Sequence, residues 1–105
     1  MPAFLVGTIR VTAPDVWQRY VERVGATFGP HGGRVLMRGV KAAELAGQGH
    51  GERIVIAEFP DLESLQRWHA SPEYQALIAL REAGAEVVLT AYDGEETRRT
   101  NCGTE

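Results

Sequence analysis

The sequence predicts a small α+β domain, and three observations predict it. Four stretches, residues 3–11, 33–39, 53–59 and 86–92, are rich in apolar and β-branched residues at strand length. Two intervening stretches carry apolar residues at helical spacing instead. Helix-start and chain-turn signals stand at the joints: Thr12-Ala13-Pro14-Asp15, Glu58-Phe59-Pro60 and Ser71-Pro72-Glu73-Tyr74. The resulting order is strand, helix, strand, strand, helix, strand. That is the ferredoxin-like βαββαβ arrangement, an antiparallel sheet with helices on one face.

The first strand puts Leu5, Gly7, Ile9 and Val11 on one face and Phe4, Val6, Thr8 and Arg10 on the other. Thr12 is expected to cap the first helix, with Pro14 in its first turn and Asp15 completing a capping box with a shorter acid. Trp17, Val21, Val24 and Phe28 form one stripe, Tyr20 lies at its edge, and Gly29-Pro30 ends it. The second strand is expected to carry Arg34, Leu36 and Arg38 on one face. Ala46-Gly47-Gln48-Gly49-His50-Gly51 reads as a mobile connection; it lacks the Lys-Ser/Thr ending of a phosphate loop. The third strand is apolar on both faces, which suits the centre of a sheet. Asp61 caps a helix with Leu62, Leu65 and either Trp68 or His69 turned inward. Ser71 caps again with Pro72 at the first position of a helix that runs to Gly84. Tyr74, Ile78 and Arg81 share a face of it, as do Leu77 and Leu80. From about Asp93 the chain turns polar. The domain is therefore placed at residues 1–94, with a tail without fixed structure over 95–105.

Composition bounds the function. The 105 residues carry a net charge of −3, with one lysine and ten arginines spread among 14 acids. Nucleic acid calls for clustered cations, so it is not expected as a partner. No apolar run approaches the ~20 residues of a membrane span, and the first residues lack the pattern of a signal peptide. The lone Cys102 sits in the tail and cannot form an intrachain disulfide. A cytoplasmic location is expected. Both sheet faces are apolar, yet helices cover only one of them. A homodimer through the open faces is the expected remedy.

Tyr20, the turn His31-Gly32-Gly33-Arg34, Arg38-Gly39, Glu58-Phe59-Pro60, Ser71-Pro72-Glu73-Tyr74 and Arg81 together resemble the family known as domain of unknown function 1330, over about residues 3–94. The resemblance implies a ferredoxin-like subunit of the dimeric α/β-barrel superfamily, which includes cofactor-independent monooxygenases, isomerases and cyclases. Two features depart from the pattern, the loose glycine loop at 46–51 and the tail.

The candidate catalytic residues are His31, Arg38 and Glu58. Imidazole titrates near neutral pH and suits proton transfer; an arginine suits a developing oxyanion, and Glu58 could orient it or move a proton. The candidate substrate-binding residues are Tyr20, Arg34, Trp68, Tyr74 and Arg81. Each has a structural alternative: a turn histidine, a rim ion pair of arginine with Glu58, or core aromatics. His31, His50 and His69 match no zinc spacing, and no dinucleotide fingerprint is present, so neither a metal nor a cofactor is expected. Two functions remain open. One is a cofactor-independent enzyme performing proton transfer, cyclisation, isomerisation or oxygenation on a small oxygenated organic molecule in specialised metabolism. The other is a non-catalytic ligand-binding or structural dimer.

Overall fold

Four strands and their helices are assembled in the computed structural model, which describes residues 1–94. The elements are β1 (Ala3–Val11), α1 (Pro14–Phe28), a 3-10 turn (Gly29–His31), β2 (Arg34–Val40), β3 (Arg53–Phe59), α2 (Leu62–Ala70), α3 (Pro72–Gln75), α4 (Ile78–Gly84) and β4 (Ala85–Asp93). The sheet is antiparallel throughout, in the order β2-β3-β1-β4. This is the ferredoxin-like α+β fold. The expected tail and Cys102 lie outside the described residues.

Alternation along β1 divides the sheet as its sequence requires. Ala3, Leu5 and Ile9 are buried beneath the helices. Phe4, Val6 and Thr8 share the open face with Ile54, Ile56 and Glu58 of β3 and Val88, Thr90 and Tyr92 of β4. Between helices and sheet, aromatic rings form a continuous layer. Phe28 stacks on Trp68 at 5.0 Å, Trp68 meets Tyr74 at 4.2 Å, and Trp17 stacks on Tyr20 at 4.9 Å between centroids. Trp68, Tyr74 and Phe59 are the largest fully buried side chains.

Both downstream caps form. The Asp61 carboxylate accepts from the Ser64 amide at 2.7 Å, which holds its pKa below the usual range, and the Ser71 hydroxyl accepts from the Tyr74 amide at 3.2 Å. Three local expectations need correction. Thr12 does not cap α1; its amide and that of Ala13 both donate to the Gly84 carbonyl, at 2.9 and 3.0 Å. The helix after Ser71 is interrupted at Ala76 and Leu77, where the Leu77 amide bonds Tyr74 three residues back and tightens the turn.

The third correction bears on the site. Val35 pairs with Ala57, but Met37 pairs with Ile56, so Leu36 is an extra residue in β2. A bulge of one residue reverses side-chain phase. Arg34 therefore lies opposite Glu58 on the open face, whereas Arg38 lies opposite Val55 on the helix-covered face. The two arginines do not share a face.

The glycine-rich connection is tied at several points. Lys41 Nζ donates to Glu44 at 2.8 Å, the Gly49 amide donates to the same carboxylate at 3.2 Å, and the Glu52 amide donates to the Ile9 carbonyl at 3.0 Å. His50 Nδ1 lies 3.1 Å from the Thr8 hydroxyl. Gly51 takes φ +72°, and a Cβ there would run into the Ile9 carbonyl oxygen. Gly51→Ala is therefore expected to cost more than about 1 kcal/mol in urea unfolding; an alanine variant as stable as the parent would show that the strap is not fixed at this point.

Candidate functional site

The helix-covered side of the sheet holds a polar network that threads the aromatic layer. Tyr20 comes from the inner stripe of α1 and Tyr74 from α3, where the Ser71 cap fixes the first turn. Arg81 follows from α4, two turns beyond Tyr74. The two tyrosine hydroxyls lie 3.0 Å apart, and Arg81 Nη1 donates to the Tyr74 hydroxyl at 2.9 Å. The Arg81 side chain is only 13% exposed. Among the described residues its single carboxylate neighbour, Glu82, stands at 3.5 Å and is itself largely exposed. Arg81 Nε is buried with no hydrogen-bond partner among the described residues. A guanidinium in such a place normally faces a buried carboxylate; this one faces a neutral phenol.

The electrostatics of Tyr20 follow from that setting. Burial pushes its hydroxyl far above the ordinary phenol range, and the Tyr74 hydroxyl adds to the rise by charge and by hydrogen bond. The Arg81 and Arg38 cations pull the other way without reversing it. Tyr20 thus stays protonated at any physiological pH and can serve as a donor, not as a tyrosinate base. When Tyr74 spends its proton on Tyr20, the chain of donors runs from Arg81 through Tyr74 to Tyr20 and leaves the Tyr20 proton free for a ligand.

Trp68 supports this network from below. Its ring meets Tyr74, and its Nε1 donates to Thr27 Oγ1 at 2.8 Å; Thr27 in turn donates to the Val24 carbonyl at 2.6 Å. Trp68 is 1% exposed, so it forms the floor of the network. Of the expected binding residues, Tyr20, Trp68, Tyr74 and Arg81 are thus brought together, and Arg38 acts on Tyr20 through its charge.

Three expected residues stand apart. Arg34 donates to Glu58 Oε1 through Nε and Nη2, at 3.0 and 2.8 Å, on the open face. With Arg34 72% exposed, the pair is a rim ion pair worth roughly 0–1 kcal/mol. His31 ends the 3-10 turn, half-buried, with no side-chain hydrogen bond among the described residues. The imidazole that packs against the network is His69, 5.5 Å from the Tyr74 ring. Helical spacing alone left Trp68 and His69 as alternatives for the inward position, which is why sequence reasoning passed over it.

Between α1 and the β2–β3 edge lies a cleft of about 580 Å³. Trp17 and Val21 wall it from the helix, Ile9 and Val55 from the sheet, with Arg38 and Arg53 on the strand side. Arg53, the first residue of β3, is not among the candidate residues named from the sequence. Among the described residues no group of three His, Cys, Asp or Glu is placed to hold a metal ion, and no helix is long and apolar enough to cross a membrane.

A ferredoxin-like domain with a polar–aromatic network under its helices is the class that fold and site define. More particularly, the chain belongs to the family described as Domain of unknown function (DUF1330), whose model matches residues 2–95. No curated protein matches it. Among solved structures, a protein of unknown function from Rhodopseudomonas palustris is similar at 21% identity, with a TM-score of 0.73, over 91% of this chain and 84% of that one. SnoaB, a cofactor-independent oxygenase from Streptomyces nogalater, is similar at 16% identity, with a TM-score of 0.66, over 93% and 97%. A dimeric ferredoxin-like protein of unknown function from Thermobifida fusca is similar at 15% identity, with a TM-score of 0.64, over 90% and 92%. At these identities the likeness establishes the fold.

Two predictions follow from the network. Tyr74→Phe leaves Arg81 without its buried acceptor and is expected to cost about 1–3 kcal/mol, whereas Arg81→Met removes a poorly compensated charge and is expected to cost under about 1 kcal/mol. Chemical denaturation of both variants checks the order, and a larger loss for Arg81→Met would make the arginine a structural pillar. The second concerns pH. The folded-state pKa of Tyr20 is raised, so its contribution is whole below the unfolded value near 10 and is lost as pH climbs beyond it, where the unfolded chain ionises first. Unfolding free energy should decline above about pH 10, and less steeply in Tyr20→Phe; parallel declines would contradict this assignment.

Proposed function

We propose that this protein binds and transforms a small oxygenated organic molecule without a cofactor. In this reading the Arg81–Tyr74–Tyr20 relay, with Arg38 beside it, stabilises negative charge that develops on a ligand oxygen. The observation that carries the reading is the nearly enclosed Arg81, bonded to a neutral phenol and holding an unused Nε donor. Proton abstraction next to a carbonyl, isomerisation, cyclisation and cofactor-free oxygenation all pass through an enolate or phenolate, so one preorganised donor site serves each. The shared fold with a cofactor-independent oxygenase supports the class without choosing among these reactions. His31 and Glu58 stand away from the relay, so their role as proton carriers is not part of this reading.

The open sheet face supports a homodimer as the working form. Val6, Ile54, Ile56 and Val88 lie together there, partly or fully exposed, and a fold-mate of this chain is dimeric. Light scattering is expected to give twice the 11.5 kDa chain mass, and Ile56→Asp to give the single mass with unchanged circular dichroism. A monomeric parent protein at micromolar concentration would overturn the dimer.

One observation favours the non-catalytic reading: Tyr20, Tyr74 and Arg81 also satisfy one another, as a purely structural network would. A panel of small phenols and 1,3-dicarbonyl compounds separates the two. Under the catalytic reading at least one compound raises the melting temperature and is consumed by the metal-free protein, and Arg81→Met lowers that turnover by about 100-fold or more. Full turnover in Arg81→Met, or stabilisation without consumption, would leave the binding or structural reading.

A further inference from the structure

The cleft beside the relay carries its own chemical signature. Arg38 and Arg53 sit on adjacent strands and on the same sheet face, because Arg38 pairs with Val55 while Arg53 pairs with Val40. That diagonal puts their side-chain origins roughly 7–8 Å apart, close enough for two guanidinium groups to meet over one small anion. Neither makes a salt bridge or side-chain hydrogen bond among the described residues, whereas Arg10, Arg34, Arg67 and Arg81 each have a carboxylate neighbour. The acid in the cleft, Glu52, accepts the Val11 amide on Oε1 at 2.9 Å, which chiefly holds its pKa below the usual range, with the Arg53 and Arg10 cations adding to it; it makes no salt bridge with either cleft arginine. Apart from Gln18, the rest of the wall is apolar and includes an indole, Trp17, stacked on Tyr20. At about 580 Å³ the cleft is within the ordinary range for a small-molecule site.

We infer that the ligand of this cleft is a one- or two-ring aromatic carboxylate, its carboxylate shared by Arg38 and Arg53 and its ring laid along Trp17 and Val21. Two unpaired guanidinium groups select a planar anion over a neutral molecule, and fork geometry suits carboxylate. An apolar floor rejects small hydrated anions, because they offer it nothing to bury. The inference deepens the proposed function and rests on it for what happens next: Trp17 walls this cleft and stacks on Tyr20, so a ring laid along Trp17 lies next to the relay.

The test uses 2-naphthoate, 2-naphthamide and acetate as probes of the full chain, by titration calorimetry with circular dichroism of each variant as the folding control. Naphthoate is expected to bind about tenfold or more tighter than either comparison ligand, and Arg53→Met to weaken naphthoate about fivefold without changing naphthamide. Equal binding of acid and amide, unchanged binding in Arg53→Met, or no naphthoate binding at millimolar concentration overturns the inference. Arg81→Met keeps the two proposals apart. Naphthoate that binds parent and Arg81→Met alike, in a protein that consumes no compound, sinks the catalytic reading and leaves this one standing. Turnover without naphthoate binding does the reverse.

Discussion

The polar ends of the buried aromatic side chains are the constraint on which the rest of this structure depends. A four-stranded sheet with helices on one side needs a thick apolar layer between them, and here much of that layer is built from rings. Trp68 and the two tyrosines contribute large buried surfaces but bring N–H and O–H groups with them, and such groups are costly to bury unpaired. Trp68 is satisfied by Thr27, which passes the bond on to the α1 backbone. The tyrosines are satisfied by each other and by Arg81. These bonds tie α1 to α2 and to α3 and α4, so the polar handles help set how the helices sit on the sheet.

Arg81 is where this arrangement gives more than packing requires. Two tyrosine hydroxyls could have satisfied one another without a cation. Adding a guanidinium costs desolvation, and its neutral partner returns little of it. The excess of donors over acceptors leaves a positive, water-poor spot beneath the helices. Stability alone does not ask for that.

Much of the fold was legible in the sequence, because period and punctuation carry it. The strand at residues 53–59, the inward stripe of α1 and the caps at Asp61 and Ser71 each follow from local rules. The pairing of Tyr74 with Arg81 also survives, since seven helical positions bring them to one face even with the chain tightened at Leu77. What local rules could not deliver was register. Nothing in Val35-Leu36-Met37 announces an extra residue, and the spacing of Arg34 and Arg38 by four looks like a shared face. One bulge sends Arg34 to Glu58 and Arg38 to Tyr20's side. The nearness of Arg53 to Arg38 is hidden for the same reason, since it emerges only when two strands are aligned.

The bulge also decides which charges can cooperate. With Arg34 paired to Glu58 on the open face, Arg38 on the helix side makes no salt bridge among the described residues. Without the extra residue both arginines would have lain on the open face with Glu58. Instead one sheet face keeps a closed rim ion pair beside surface suited to a second copy, and the other collects Arg38, Arg53 and Arg81 around rings and phenols. A single inserted residue thus puts the two arginines of β2 on opposite faces of the sheet. The Arg81 and Arg38 cations draw on the Tyr20 phenol from that side, while Glu82, the carboxylate beside Arg81, is largely exposed.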